Sequence, residues 1–151
     1  MPAMTSRTHV FCWIARAAVL IVLCWNLDCA LSFLLQPEGY LSAYELNGAS
    51  GIAAIQGIAV AFLMWNATYP LVIISPLRFK ALYAVVVAQQ IIGLIGESCI
   101  LASLDATHAT LAASLTRFIA FDAAGLVIMA LAFVALLLSA RRKVSPSPKA
   151  P

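Results

Sequence analysis

Asp28, Glu97, Arg117 and Asp122 stand inside long apolar runs, accompanied by Asn26, Gln56, Asn66, Gln89 and Gln90. An ionised side chain in hydrocarbon costs about 2.5–3.5 kcal/mol at mid-span, so such groups face an interior partner, water or a functional site. Carboxylates and amides in that setting suit three tasks. They can hold a small polar or lipid-like ligand, pass a proton during transport, or serve as acid and base toward an apolar substrate.

Depth and helical phase group these residues. At a rise of about 1.5 Å per residue, Asp28, Gln56, Glu97 and Arg117 each lie roughly 10 Å inside one end of their run, and Asp122 somewhat deeper. A single polar layer of Asp28, Gln56, Glu97, Arg117 and Asp122 is therefore expected, with Gln90 joining it. A turn of about 100° per residue puts Gln90 within about 20° of Glu97, with Gly93 close by and Gln89 and Gly96 on the flank. Phe118, Asp122, Gly125 and Met129 share a face in the same way. Glycine beside each acid lets another backbone approach, so both faces should point inward. Arg117 falls about 140° from Asp122; its expected partners are Glu97, Asp28 or lipid headgroups reached by snorkelling. Gln89, Gln90 and Asn66 suit interhelical hydrogen bonding, and Ala53-x-x-x-Gly57-x-x-x-Ala61 offers a small-residue packing seam.

The connection Tyr40-Leu41-Ser42-Ala43-Tyr44-Glu45-Leu46-Asn47-Gly48 carries two tyrosines four apart, which a short surface helix would place on one side. They serve either as interfacial anchors or as a lid over the polar layer, with Glu45 reaching down as a further ligand contact. Trp13, Trp65, Tyr69 and Tyr83 fall toward the opposite side and make a candidate inner aromatic belt.

Several chemistries are missing. Cys12, Cys24, Cys29 and Cys99 form no C-x-x-C pair, so a quinone-linked disulfide mechanism is not indicated, although Cys29 and Cys99 share a depth at which they could meet. His9 and His108 lie near opposite faces, which excludes bis-histidine haem. Without an E-x-x-H spacing no metal site is assigned, and no cofactor is expected. No phosphate loop, Ser/His/Asp arrangement or basic nucleic-acid patch is present.

Composition decides which elements must carry these side chains. The 151 residues are 64% hydrophobic and 10% charged, with a mean hydropathy of +1.00. Too little polar sequence remains to coat a water-facing surface, which rules out a soluble enzyme, a nucleic-acid binder and a disordered chain. A bilayer core about 30 Å thick is crossed by roughly 20 apolar helical residues. Four runs qualify, at about 11–35, 49–75, 81–104 and 111–140, with Pro37, Gly39 and Pro76 marking helix ends. The fold class is thus all-α, a four-transmembrane-helix bundle followed by a basic tail at 141–151 expected to be disordered. The first run imitates a signal peptide as far as Cys29-Ala30. It continues through Leu31–Leu35, however, with Asp28 where a small residue is wanted, and reads as a span.

Charge sets the direction. Arg7, Arg16, Arg78, Lys80, Arg141, Arg142, Lys143 and Lys149 flank one side, Arg117 alone among the basic residues lies elsewhere, and the six carboxylates fall on the other side. The positive-inside tendency puts both termini in the cytoplasm, as an even number of spans requires, in a bacterial inner membrane.

The runs Tyr44-Glu45-Leu46-Asn47-Gly48, Phe62-Leu63-Met64-Trp65-Asn66 with Tyr69-Pro70, Gly93-Leu94-Ile95-Gly96-Glu97-Ser98 and Arg117-Phe118-Ile119-Ala120-Phe121-Asp122 resemble those of uncharacterised small bacterial membrane proteins. The likeness covers most of residues 38–125 and implies no activity. In size and layout the chain is also similar to DoxX-like proteins, and less so to small multidrug transporters. The leading expectation is an accessory subunit or small binding module whose polar layer holds a lipid-like or small polar ligand. A membrane enzyme acting on a quinone or isoprenoid, and a small proton-coupled transporter using Glu97 or Asp122, are the alternatives. The expected partners are the lipid bilayer and a membrane-protein complex or a second copy of the chain.

Overall fold

Long apolar runs must satisfy their backbone groups internally, and helices do so within one segment. The computed structural model describes residues 6–141 and is helical throughout: α1 (Ser6–Leu35), α2 (Gly48–Asn66), α3 (Tyr69–Ile74), α4 (Lys80–Ser103) and α5 (Ala109–Arg141), with no strand among the described residues. Four stretches are long and apolar enough to cross a membrane, the second being α2 and α3 together, Gly48–Ile74. The tail expected to be disordered, with Arg142, Lys143 and Lys149, lies outside the described residues.

Helix α1 is the centre of the bundle. It packs on α2, α3 and α5, while α4 leans on α5 and α3. Thr8 of α1 donates to the Ser139 carbonyl of α5, so the two ends of the described chain share one end of the bundle. The opposite end carries the connections between α1 and α2 and between α4 and α5, and is called the loop end below. Near the chain ends, Ala15, Val19 and Val22 of α1 interlock with Tyr69 and Val72 of α3, Val86 of α4 and Leu136 of α5. A smaller apolar cluster around Phe33, Ile55 and Ala59 fills the loop end. Outward faces are apolar as well, with Met64 72%, Ile92 69% and Leu131 67% exposed, as on a helix surrounded by hydrocarbon.

The second apolar run is not one continuous helix. Pro70 has no N–H, and its ring would strike the carbonyl four residues back, that of Asn66, so α2 ends there and α3 starts afresh. Side chains cover the break: Asn66 Nδ2 donates to the Phe62 carbonyl at 2.7 Å and Thr68 Oγ1 to that of Trp65 at 3.1 Å. Just beyond α3, the Arg16 guanidinium donates to the Ile74 carbonyl at 2.7 Å and lies 4.8 Å from the ring of Trp13.

Two sequence expectations need correction. The Ala53, Gly57, Ala61 seam faces outward; Gly51, Ile55 and Ala59 are the buried stripe of α2, because that face meets α1 and the loop-end turns. Tyr69 and Tyr83 form no belt but are fully buried, each hydroxyl finding an interior acceptor: Gln90 Oε1 at 3.4 Å and the Met129 carbonyl at 3.1 Å. Trp13, by contrast, is 56% exposed.

Candidate functional site

At the loop end α1, α5 and the turns between α1 and α2 surround a cavity of about 520 Å³. Helix α1 lines it with Trp25, Asp28, Cys29 and Ser32, and α5 with Ser114, Arg117, Phe118 and Phe121. Both sets follow the i, i+3, i+4, i+7 spacing of a single helix face. Two facing stripes of the same rhythm, each with one charge, therefore make the walls.

The roof is aromatic. Residues Pro37–Tyr40 and Ser42–Tyr44 form two tight 3₁₀ turns in place of the expected short helix, yet both tyrosine rings fall on one side. Tyr40 packs on Phe33 at a tilt, with centroids 4.5 Å apart, and Tyr44 and Phe118 meet the same ring at 5.7 and 6.0 Å. Trp25 of α1 and Phe121 of α5 pack on each other in the cavity lining, centroids 5.1 Å apart. Such ring pairs contribute about 0.5–1.5 kcal/mol each beyond their burial.

Its electrostatics are unbalanced in a useful way. Arg117 donates to Ser114 Oγ at 3.3 Å, and Ser114 in turn donates to the Ala43 carbonyl at 2.7 Å, joining α5 to the roof. Neither Asp28 nor any other carboxylate forms an ion pair with Arg117 among the described residues, and Asp28 has no hydrogen bond there at all. Both charged side chains are exposed to the cavity and its mouth. Burial, then the neighbouring Cys29 and Glu97, push the phenol of Tyr44 well above its ordinary range against a smaller pull from Arg117, so it stays a neutral donor.

The roof is clasped to α5 by Glu45. This residue takes the left-handed conformation, φ 53° and ψ 34°, which turns its side chain toward the start of α5. One carboxylate oxygen meets His108 Nδ1 at 2.5 Å and the other accepts from the Leu111 backbone N–H at 3.1 Å. An acid over free N–H groups at a helix start is a favourable cap. The His108 and Leu111 bonds hold the Glu45 carboxyl below its ordinary value, and Glu45 raises the His108 imidazole above its own.

Deeper in the bundle each helix contributes one buried polar side chain. Asn26 of α1 donates to Asn66 of α2 at 3.1 Å. Tyr69 of α3 donates to Gln90 of α4, whose amide reaches the Asp122 carbonyl of α5 at 3.4 Å. Asp122 itself lies over Gly93: a Cβ there would sit 2.9 Å from Oδ2 and 2.9 Å from Trp65. Glu97 is within electrostatic reach of Asp122, and its Oε2 is buried without a hydrogen bond, as is Gln89 Oε1.

The residues expected in one layer are held by different contacts, while Asp28, Glu97 and Asp122 all lie within electrostatic reach of Cys29 in the cavity wall. Asp28 and Arg117 line the cavity; Gln90, Glu97 and Asp122 gather between α4 and α5; Gln56 donates to the Leu34 carbonyl at 3.2 Å, tying α2 to α1. Glu45 points to His108 instead of down into the bundle. All four cysteines are free thiols, Cys29 in the cavity wall and Cys99 exposed. Sequence reasoning passed over Trp25, Ser32, Ser114 and Phe121, although their spacing from Asp28 and Arg117 carried the signal. No protein-family model, curated protein or solved structure matches the chain.

Proposed function

We propose that the chain is a multi-pass protein of the bacterial inner membrane with both termini cytoplasmic, acting as a small binding module or accessory subunit whose loop-end cavity holds a lipid-like or small polar ligand. Support for the orientation comes from Arg7, Arg78, Lys80 and Arg141 at the end of the bundle opposite Glu45 and Asp105. The observation that carries the binding role is the cavity of about 520 Å³ bounded by six aromatic rings, with Asp28 and Arg117 left unpaired on facing helices. Concave, mostly apolar sites with a few convergent polar groups are the usual form of a ligand pocket.

Purification in a mild maltoside followed by mass spectrometry of everything retained tests this reading. The wild-type protein should carry a stoichiometric small amphiphile that an Asp28→Ala/Arg117→Ala double variant lacks. Equal, non-stoichiometric lipid on both would remove the binding role.

A carrier is the second reading, favoured by the buried, unbonded Glu97 oxygen beside Asp122. Glu97→Gln should then abolish pH-driven flux in proteoliposomes; unchanged flux disposes of it.

A further inference from the structure

We infer that the cavity selects a zwitterion: a substituted ammonium seated against Asp28 and the neighbouring rings, with a phosphate or carboxylate on Arg117 and Ser114. The inference rests on the binding reading above and names the ligand chemistry. Asp28 and Arg117 stand in one cavity, on facing helices, without pairing with each other. An unpaired charge at the edge of hydrocarbon is costly, and a ligand carrying both signs relieves both at once.

Each wall has the chemistry for its half. Trp25 lies one helical turn before Asp28 on the same face of α1, and Phe121 packs on it from α5 at 5.1 Å. Aromatic faces beside a carboxylate suit an alkylated ammonium, which is held by cation–π attraction and sheds its loosely bound water at little cost. On the other wall the planar guanidinium spends one donor on Ser114 and keeps the rest for a two-pronged grip on an anion. A purely anionic ligand leaves Asp28 unpaired and a purely cationic one leaves Arg117. The chemistry has two sources, a choline-type phospholipid headgroup, or a free small zwitterion bearing the same groups.

Cys29 in the wall supplies the test. A variant with Cys12, Cys24 and Cys99 replaced by Ala keeps this thiol alone, and its alkylation by a water-soluble maleimide is timed in four settings. These are maltoside micelles, nanodiscs of phosphatidylglycerol, the same nanodiscs containing phosphatidylcholine, and phosphatidylglycerol nanodiscs with added glycerophosphocholine. Phosphatidylcholine, glycerophosphocholine or both should slow labelling relative to phosphatidylglycerol, and Asp28→Asn and Arg117→Gln should each cut that protection by about tenfold. Protection by phosphatidylcholine alone assigns a lipid, and protection by glycerophosphocholine assigns a free zwitterion. Equal protection by phosphatidylglycerol without either overturns the zwitterion and leaves the binding reading standing; labelling as fast in every setting as in micelles overturns both. Thermal unfolding measured in parallel confirms that the variants stay folded.

Discussion

Glu45 and His108, 63 positions apart in the chain, meet with Oε2 2.5 Å from Nδ1. That contact, with the Leu111 bond, fastens the aromatic roof to the start of α5 and so closes one side of the cavity.

The clasp should have a pH window. His108 is raised above its ordinary 6.5, so its contribution is complete below pH 6.5 and lost as pH rises through the raised value. Glu45 is lowered below 4.5, so its contribution is present above pH 4.5 and lost as pH falls through the depressed value. Amide-exchange protection of residues 41–46, corrected for intrinsic chemistry, should peak between pH 4.5 and 6.5. His108→Ala should erase the decline on the alkaline side; a decline that survives it would sink the idea.

Tyr69 and Gln90 should be energetically coupled. Their side chains share a buried hydrogen bond at 3.4 Å. Tyr69→Phe and Gln90→Leu in a double-mutant cycle, read by unfolding in mixed detergent micelles, should give a coupling of about 0.6–1.7 kcal/mol. Strict additivity would show the bond contributes nothing.

Tyr83 separates packing from bonding. Its ring is fully buried against Phe133, with centroids 4.5 Å apart, and its hydroxyl bonds Met129. Tyr83→Phe should cost about 1 kcal/mol, and Tyr83→Ala about 3–5 kcal/mol through the cavity left behind. Equal losses in the same unfolding assay would contradict that division.

Gly93 and Gly96 make a matched pair on one helix. A side chain at Gly93 meets Asp122 and Trp65, while one at Gly96 meets nothing within 4 Å. Gly93→Val should destabilise by about 1–3 kcal/mol from overpacking, and Gly96→Val should stay within about 0.5 kcal/mol. The reverse order would mean that α4 is rotated.

What the sequence revealed follows the strength of each periodic signal. The four apolar runs are long and continuous, and the buried Asp122, Gly125, Met129 face follows from helical phase alone. Pro70 sits in so apolar a run that hydropathy hides the break, which only the lost N–H and the ring clash reveal. The α2 seam was displaced by two positions, which on a helix is nearly the opposite side, because exposed small residues look like packing residues when nothing says where α1 lies. Tyr69 and Tyr83 resembled anchors because their acceptors, Gln90 and the Met129 carbonyl, are 21 and 46 positions away. Weighing ionisable groups one by one also obscured the cavity, whose walls are defined by the apolar and hydroxyl residues spaced around Asp28 and Arg117.

The bond from Arg16 to the end of α3 has a consequence for the outline of the bundle. Beyond that tie α1 runs on to Ser6, about 15 Å further, beside the last turns of α5, while α3 has stopped and α4 begins only at Lys80. The bundle tapers there from four rods to a paired spur. Val10, Ile14, Val134 and Leu138 stand exposed on this spur, so the thinned end keeps an apolar outer surface, and in the proposed orientation it is acyl chains rather than water that fill the space beside the narrowed pair.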